Sequence, residues 1–227
     1  MKTIGVLGGM SFESTIYYYR IINEEVNRRL GGLHSAKIML SSLEFEEIRQ
    51  LQQKNDWGKA AEILGSHAKK LQTAGAELII VTTNTMHKIA REIAAAVTIP
   101  LLHIAAPTAA VIKKDGLKTV ALIGTKFTME HDFYTGYLEK EGLKVITPDE
   151  ESRNIIHDII FDELCKGIIK DESRKKYEKI INDLKRAGAQ CVILGCTEIC
   201  MLINKAELPV YDTTKIHALA AADAALK

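Results

Sequence analysis

The sequence predicts an α/β protein built as two pseudo-symmetric, doubly wound parallel-sheet lobes, and three observations carry that expectation. Short apolar runs alternate with longer helical patterns along all 227 residues, the arrangement of strands joined by helical crossovers. The runs 74–85 and 187–198 each close a helical pattern at Ala-Gly, pass through an apolar strand and then present a small nucleophilic side chain followed by polar residues. The second half also repeats the first, in the same order of elements.

The elements follow in order. Thr3 to Leu7 reads as a buried first strand, closed by Gly8-Gly9-Met10-Ser11, with a helix from about Ser14 to Leu30. Lys37 to Ser41 is the second strand. Phe45 to Gln53 and Trp57 to Ala74 carry helical spacing, and Leu78 to Thr82 is the third strand. A helix is expected over 85–96, with Asn84 or Thr85 as its cap. Ile99-Pro100-Leu101-Leu102-His103-Ile104 opens a further strand after a turn proline.

Three echoes define the repeat. Ile4-Gly5-Val6-Leu7-Gly8-Gly9 is matched by Val120-Ala121-Leu122-Ile123-Gly124-Thr125. The run from Ala74 to Thr85 is matched by that from Ala187 to Glu198, and 99–104 by 208–213. The spacings, roughly 109 to 116 positions, indicate a duplicated α/β unit and two lobes with a cleft between them. The first lobe is expected to comprise 1–98 with 208–227, and the second 99–207. The Ala-rich helix His217 to Leu226 is expected to pack back onto the first lobe.

Composition excludes several functions. Thirty Lys and Arg against twenty-nine Asp and Glu leave no basic face for nucleic acid, and Arg174-Lys175-Lys176 reads as a solvated helix surface. No apolar run approaches the roughly 18 residues of a membrane span, and Met1-Lys2 leads directly into a strand pattern, so a cytoplasmic location is expected. The four cysteines form neither a Cys-x-x-Cys pair nor a disulfide framework, which suits free thiols in a reducing compartment. Cys196 and Cys200 lack companion ligands at metal-binding spacing, so no metal is expected.

Chemistry concentrates where the repeat carries different side chains. In a parallel sheet the carboxyl ends of the strands face the ligand crevice, and there the two halves offer Thr83 and Cys196. Cys196 precedes a helix expected to begin near Thr197-Glu198, whose amino terminus would favour thiolate; the alternative is a small buried hydrophobe. Cys191 and Cys165 lie within apolar patterns and read as core. His87 reads as a cap or hydrogen-bond partner. Thr125 ends the strand that echoes the Gly9 turn. Glu198 could bind an ammonium, tune the thiol or complement the helix dipole. There is no phosphate loop, no Ser-centred nucleophile elbow and no Gly-x-Gly-x-x-Gly fingerprint.

Gly5-Val6-Leu7-Gly8-Gly9-Met10, Thr83-Asn84-Thr85-Met86-His87 and Gly195-Cys196-Thr197-Glu198-Ile199, in this order and spacing, resemble the aspartate/glutamate racemase family over essentially the whole chain. That resemblance implies a cofactor-independent racemase of aspartate or glutamate, working as a homodimer, with one cysteine in each lobe exchanging the Cα proton. Cys196 matches the second-lobe cysteine, and Thr83 stands where the first is usual. A threonine hydroxyl is too weak an acid to serve as an alkoxide base at neutral pH, so L substrates are expected to react better than D.

The resemblance also implies the contacts. Met10, Ser11, Asn84, Thr85, Thr125, Thr197 and Glu198 would line the substrate, largely through N–H groups and hydroxyls. Arg49 and Lys166 match basic positions that aspartate-racemase-like members direct at the side-chain carboxylate, and Gln52 lies one helical turn from Arg49. The rival readings are an acidic amino-acid binding or regulatory protein without turnover, or another superfamily enzyme such as a maleate isomerase.

Overall fold

The computed structural model describes residues 1–227, which divide into two compact units, Met1–Ile104 with His217–Lys227 and Ala105–Ile216. The first unit runs β1 (Ile4–Gly8), α1 (Phe12–Leu30), β2 (Ile38–Ser42), α2 (Phe45–Gln53), α3 (Trp57–Thr73), β3 (Leu78–Val81), a 3-10 turn (Thr85–Ile89) and α4 (Ala90–Ala95). The second runs α5 (Ala105–Lys114), β4 (Thr119–Gly124), α6 (Lys126–Glu130), α7 (Asp132–Lys140), β5 (Lys144–Ile146) and α8 (Glu150–Asp162). It continues through a 3-10 turn (Leu164–Lys166), α9 (Asp171–Arg186), β6 (Cys191–Gly195), α10 (Ile199–Leu202) and β7 (Val210–Asp212). The last helix, α11 (Thr213–Leu226), begins with the second unit and passes to the first at His217.

Both sheets are parallel and have the same plan. The first has the order β2-β1-β3 and the second β5-β4-β6-β7. Leu101 adds a single parallel bridge to Ile79 at the β3 edge, in the place that β7 takes beside β6. Pro100 accepts from the Ile79 N–H at 2.8 Å, as Pro209 accepts from Val192 at 2.9 Å. The strand expected over 99–104 is reduced to this bridge, flanked by the Leu102 N–H donating to the Ile79 carbonyl at 2.9 Å. These pairings also place the unit boundaries. Leu101 joins the first sheet and β7 the second, so the units change at 104/105 and 216/217 rather than at 98/99 and 207/208.

The strands read as unbroken apolar runs because both faces of each sheet are covered. With period two, Leu7, Ile79 and Val81 pack with Leu64 and Ala68 of α3, while Ile4, Val6, Leu78 and Ile80 pack with Tyr18 and Ile22 of α1. Ala218, Ala221, Ala222 and Ala225 of α11 complete that second layer, the small side chains allowing close approach. In the other unit Ala121, Ile123, Val192 and Leu194 cluster with Ile156 and Ile160 of α8 and Tyr177 and Ile181 of α9.

Capping places the helix starts. The Ser11 hydroxyl accepts from the Ser14 N–H at 3.4 Å, Asp56 from Lys59 at 3.0 Å and Asp149 from Ser152 at 2.8 Å. Both Glu44 carboxylate oxygens receive N–H groups of α2. The helix expected over 85–96 is instead a 3-10 turn followed by short α4; no side chain caps it, and the His87 N–H closes an i+3 bond to the Asn84 carbonyl at 3.0 Å.

Candidate active site

In the first unit β1 and β3 pair with Leu7 opposite Val81, so their carboxyl ends deliver 9–11 and 82–85 side by side. Gly9 takes φ +86°, a conformation open to glycine, and its N–H donates to Thr15 Oγ1 at 2.9 Å. Thr15 Oγ1 lies 3.2 Å from Thr82 Oγ1, and Ser14 Oγ donates to the Thr82 carbonyl at 3.2 Å. Those bonds tie the two turns together. Met10, Ser11, Thr83, Asn84 and Thr85 are all buried there, and the Met10–Ser11 peptide is cis.

Gln52 reaches the same turn from α2. Its Nε2 contacts Met86 Sδ at 3.1 Å, and its Oε1 is buried with no protein hydrogen-bond partner, an acceptor the fold leaves unsatisfied. Arg49, one turn earlier on α2, is half-buried.

Beneath Thr83 lies a group of imidazoles, of which His87 and His217 are buried and His103 is half-buried. His87 Nδ1 is 2.8 Å from the Thr83 carbonyl oxygen, and the Ile104 N–H donates to His87 Nε2 at 3.1 Å. The His87 ring meets His103 edge-on at 4.7 Å between centroids and His217 at 5.8 Å. His217 Nε2 lies 2.9 Å from the Leu102 carbonyl oxygen, and its Nδ1 lies 2.9 Å from the Tyr18 hydroxyl. Burial, with the neighbouring rings adding to it, holds His87 far below the usual imidazole value; burial brings His103 and His217 to about 4.

The second unit presents the matching strand ends. Gly124 pairs with Gly195 across β4 and β6, so Thr125 and Cys196 emerge next to each other. A Cβ at Gly195 would lie 2.8 Å from Leu122 Cδ1 and 3.0 Å from the Ile123 carbonyl oxygen, which is why this position takes glycine. Thr125 caps α6, with its hydroxyl 3.2 Å from that of Thr128. Cys196, Thr197 and Glu198 are buried together. The Cys196 thiol donates to Glu198 Oε2 at 3.0 Å, and the Thr197 hydroxyl donates to the same oxygen at 2.7 Å.

This corrects one expectation about Cys196. The helix after it, α10, starts at Ile199 and spans four residues, too little to stabilise a thiolate. Burial first, then the charge of Glu198, push the Cys196 thiol well above its ordinary value. Cys196 is therefore a protonated thiol with a carboxylate as its acceptor. The nearby Cys200 thiol donates to the Thr197 carbonyl at 3.3 Å and is likewise raised, mainly by burial.

Lys166 is the most exposed of the expected site residues. It ends the 3-10 turn, is 60 % exposed, and lies 3.7 Å from Asp162, a pairing of little strength in solvent. Each unit thus gathers its own strand-end residues: Met10, Ser11, Thr83, Asn84 and Thr85 with Gln52 in one, Thr125, Cys196, Thr197 and Glu198 in the other. Sequence reading did not find the roles of Tyr18, His103 and His217. Tyr18 and His217 are 199 residues apart, and no local pattern signals their pairing. No three His, Cys, Asp or Glu side chains are grouped to hold a metal ion, and no helix is long and apolar enough to cross a membrane.

The family model for Asp/Glu/Hydantoin racemase matches residues 7–221. A protein from Yersinia pestis described as a candidate Asp/Glu racemase is 55% identical, with a TM-score of 0.93 and each chain covered in full. An aspartate racemase homologue from Pyrococcus horikoshii OT3 is 34% identical, with a TM-score of 0.85 and again full coverage of both. The broad specificity amino-acid racemase RacX of Bacillus subtilis (strain 168) is 25% identical over 219 residues, 93% of this chain and 92% of that protein.

Proposed function

The chain belongs to the Asp/Glu/hydantoin racemase family and is an isomerase, and on that premise we propose that it racemises aspartate and glutamate without a cofactor, Cys196 removing the Cα proton of the L enantiomer. The observation that carries the reading is the Cys196 thiol at the end of β6, 3.0 Å from a carboxylate oxygen that can receive its proton.

Proton removal from Cα needs a base, and a protonated thiol is none. In the proposed sequence Glu198 Oε2 accepts the Cys196 proton, and the thiolate formed takes the Cα proton of the L substrate. Charge developing on the substrate carboxylate is met by N–H groups and hydroxyls of Ser11, Asn84, Thr85, Thr125 and Thr197. A proton then reaches the opposite face of Cα from a water held by the Thr83 hydroxyl, or from that hydroxyl as it is reprotonated by solvent, and Glu198 returns its proton to solvent. Since threonine is a poor base near neutral pH, the Cα proton of L substrates, removed and returned by Cys196, exchanges faster than that of D. Inversion has the same kcat/KM in both directions, because the enantiomers are equal in free energy. Arg49 and Lys166 take the side-chain carboxylate, and the unsatisfied Gln52 Oε1 accepts a substrate N–H. Aspartate and glutamate differ by one methylene, a difference worth only about 1–3 kcal/mol in a pocket, so both react. A cytoplasmic homodimer belongs to the same reading.

The raised Cys196 thiol favours a second reading, an acidic amino-acid binding protein without turnover. Exchange of the Cα proton in deuterated water decides between them. Racemisation requires loss of the α-proton from L-aspartate and L-glutamate, slower loss from the D enantiomers, and none with Cys196→Ala. Binding of all four with no exchange would leave the binding protein.

A further inference from the structure

His87 does not contact the groups assigned to proton transfer, yet it holds the backbone of one of them. The Ile104 N–H points a proton at His87 Nε2, so that nitrogen carries a lone pair. Nδ1 lies 2.8 Å from the Thr83 carbonyl oxygen, which can only accept, so the ring proton resides on Nδ1 and is donated there. The tautomer is thus dictated by two backbone groups. His217 has the opposite one: Nε2 donates to the Leu102 carbonyl and Nδ1 accepts from the Tyr18 hydroxyl. We propose that His87, as a neutral ring protonated on Nδ1, is the positioning residue that fixes the Thr83 turn against the 101–104 segment and so aims the Thr83 hydroxyl at the substrate. The proposal rests on the racemase reading for its consequence and on these hydrogen bonds for its geometry.

The surroundings preserve that ring state. His103 and His217 face His87 edge-on, and Tyr18 closes the far side of His217. A second proton on His87 would set an N–H at Nε2 against the Ile104 N–H, two donors in contact, and would put a cation beside two further imidazoles. Burial disfavours that cation in any case.

Loss of His87 should harm one half of the reaction more than the other. Deuterium enters a recovered L substrate through Cys196 alone, by removal and return on one face. Formation of D product also needs the Thr83 face. The test follows L-aspartate in deuterated water with wild type, His87→Leu and His87→Asn, whose amide N–H can still reach the Thr83 carbonyl. His87→Leu is expected to lower D-aspartate formation by about a hundredfold, the scale of a misplaced group, while α-deuteration of recovered L-aspartate falls only severalfold. KM for L-aspartate stays near the wild-type value, and His87→Asn restores most of the inversion. Equal loss of both processes, or no rescue by Asn, would overturn the proposal.

Long-range proton–nitrogen spectra of the wild-type imidazoles, with His87→Asn identifying the His87 signals, read the ring state itself. A proton on Nδ1 that persists to pH 5 is expected; an Nε2 proton, or titration near the ordinary value, would overturn it. If the wild type exchanges no substrate proton, the racemase reading fails, and the spectra still decide whether His87 holds the turn.

Discussion

Cys196 and Glu198 are joined by a 3.0 Å hydrogen bond from thiol to carboxylate, with the Thr197 hydroxyl donating to the same oxygen. A carboxylate beside a buried thiol has two opposed effects. Its charge disfavours a second anion at sulfur, which raises the thiol, and its lone pair offers the thiol proton a place to go. In the proposed reaction the second effect matters, because the thiolate is needed only while the substrate proton is being moved.

Glu198→Gln separates the two effects. Removing the charge should lower the Cys196 thiol, so alkylation by iodoacetamide, which reports thiolate, becomes faster at a given pH. Loss of the proton acceptor should at the same time reduce kcat for L-aspartate by about 10²–10⁴, the usual contribution of a general base. Faster alkylation together with higher turnover would show that Glu198 only suppresses the thiolate.

Much of the fold was legible because both sheets are parallel and covered on both faces. That burial produces the continuous runs Ile4–Gly8, Leu78–Val81 and Cys191–Gly195, and the duplicated topology preserves the order of their echoes. Phe45–Gln53 was also legible, since its Ile48 and Gln52 are buried at helical spacing. Residues 85–96 were not, because apolar spacing alone does not separate a 3-10 turn from the start of an α-helix. At the site, residue types and order pointed to Thr83 and Cys196. The state of the thiol was not readable: Glu198 looks like a residue complementing a helix start, and only its burial and its turn back onto sulfur make it an acceptor. The ring contacts among His87, His103 and His217 arise from tertiary packing and leave no periodic trace.

These histidines set a pH limit on stability. In the unfolded chain each titrates near the ordinary value of about 6.5, whereas in the fold His103 and His217 titrate near 4 and His87 well below its ordinary value. Between those values the unfolded chain binds more protons than the folded one, so stability falls as pH falls from about 6.5 and is level above it. Each buried neutral histidine adds a loss of about 1.4 kcal/mol per pH unit within that window. Urea midpoints are expected to agree at pH 7 and 8 and to drop already between pH 6 and 5, before most carboxylates protonate. His217→Gln, which keeps an amide donor for the Leu102 carbonyl and does not titrate, should make that drop shallower. A midpoint level down to pH 5 would show that the rings are not held neutral by the fold.

Thr83→Cys tests the asymmetry between the two reactive positions. A hydroxyl at residue 83 can deliver a proton or hold a water, but it cannot remain an alkoxide near neutral pH, whereas a thiol can reach thiolate. The exchange is close to isosteric, and the turn is held by His87 at the Thr83 carbonyl, by Ser14 at the Thr82 carbonyl and by the contact of the Thr15 and Thr82 hydroxyls, none of which uses the Thr83 side chain. The variant should therefore fold as the wild type does. α-Proton exchange of D-aspartate and D-glutamate is expected to rise by at least about tenfold, towards that of the L substrates, and inversion to rise in both directions, as a base becomes available on the second face. Cys196→Ala introduced into Thr83→Cys should then leave α-deuteration of D substrates while abolishing their inversion. Should α-deuteration of the D enantiomers and inversion in both directions stay at the wild-type level in Thr83→Cys, residue 83 would not face Cα, and the proton for the second face would have to come from elsewhere.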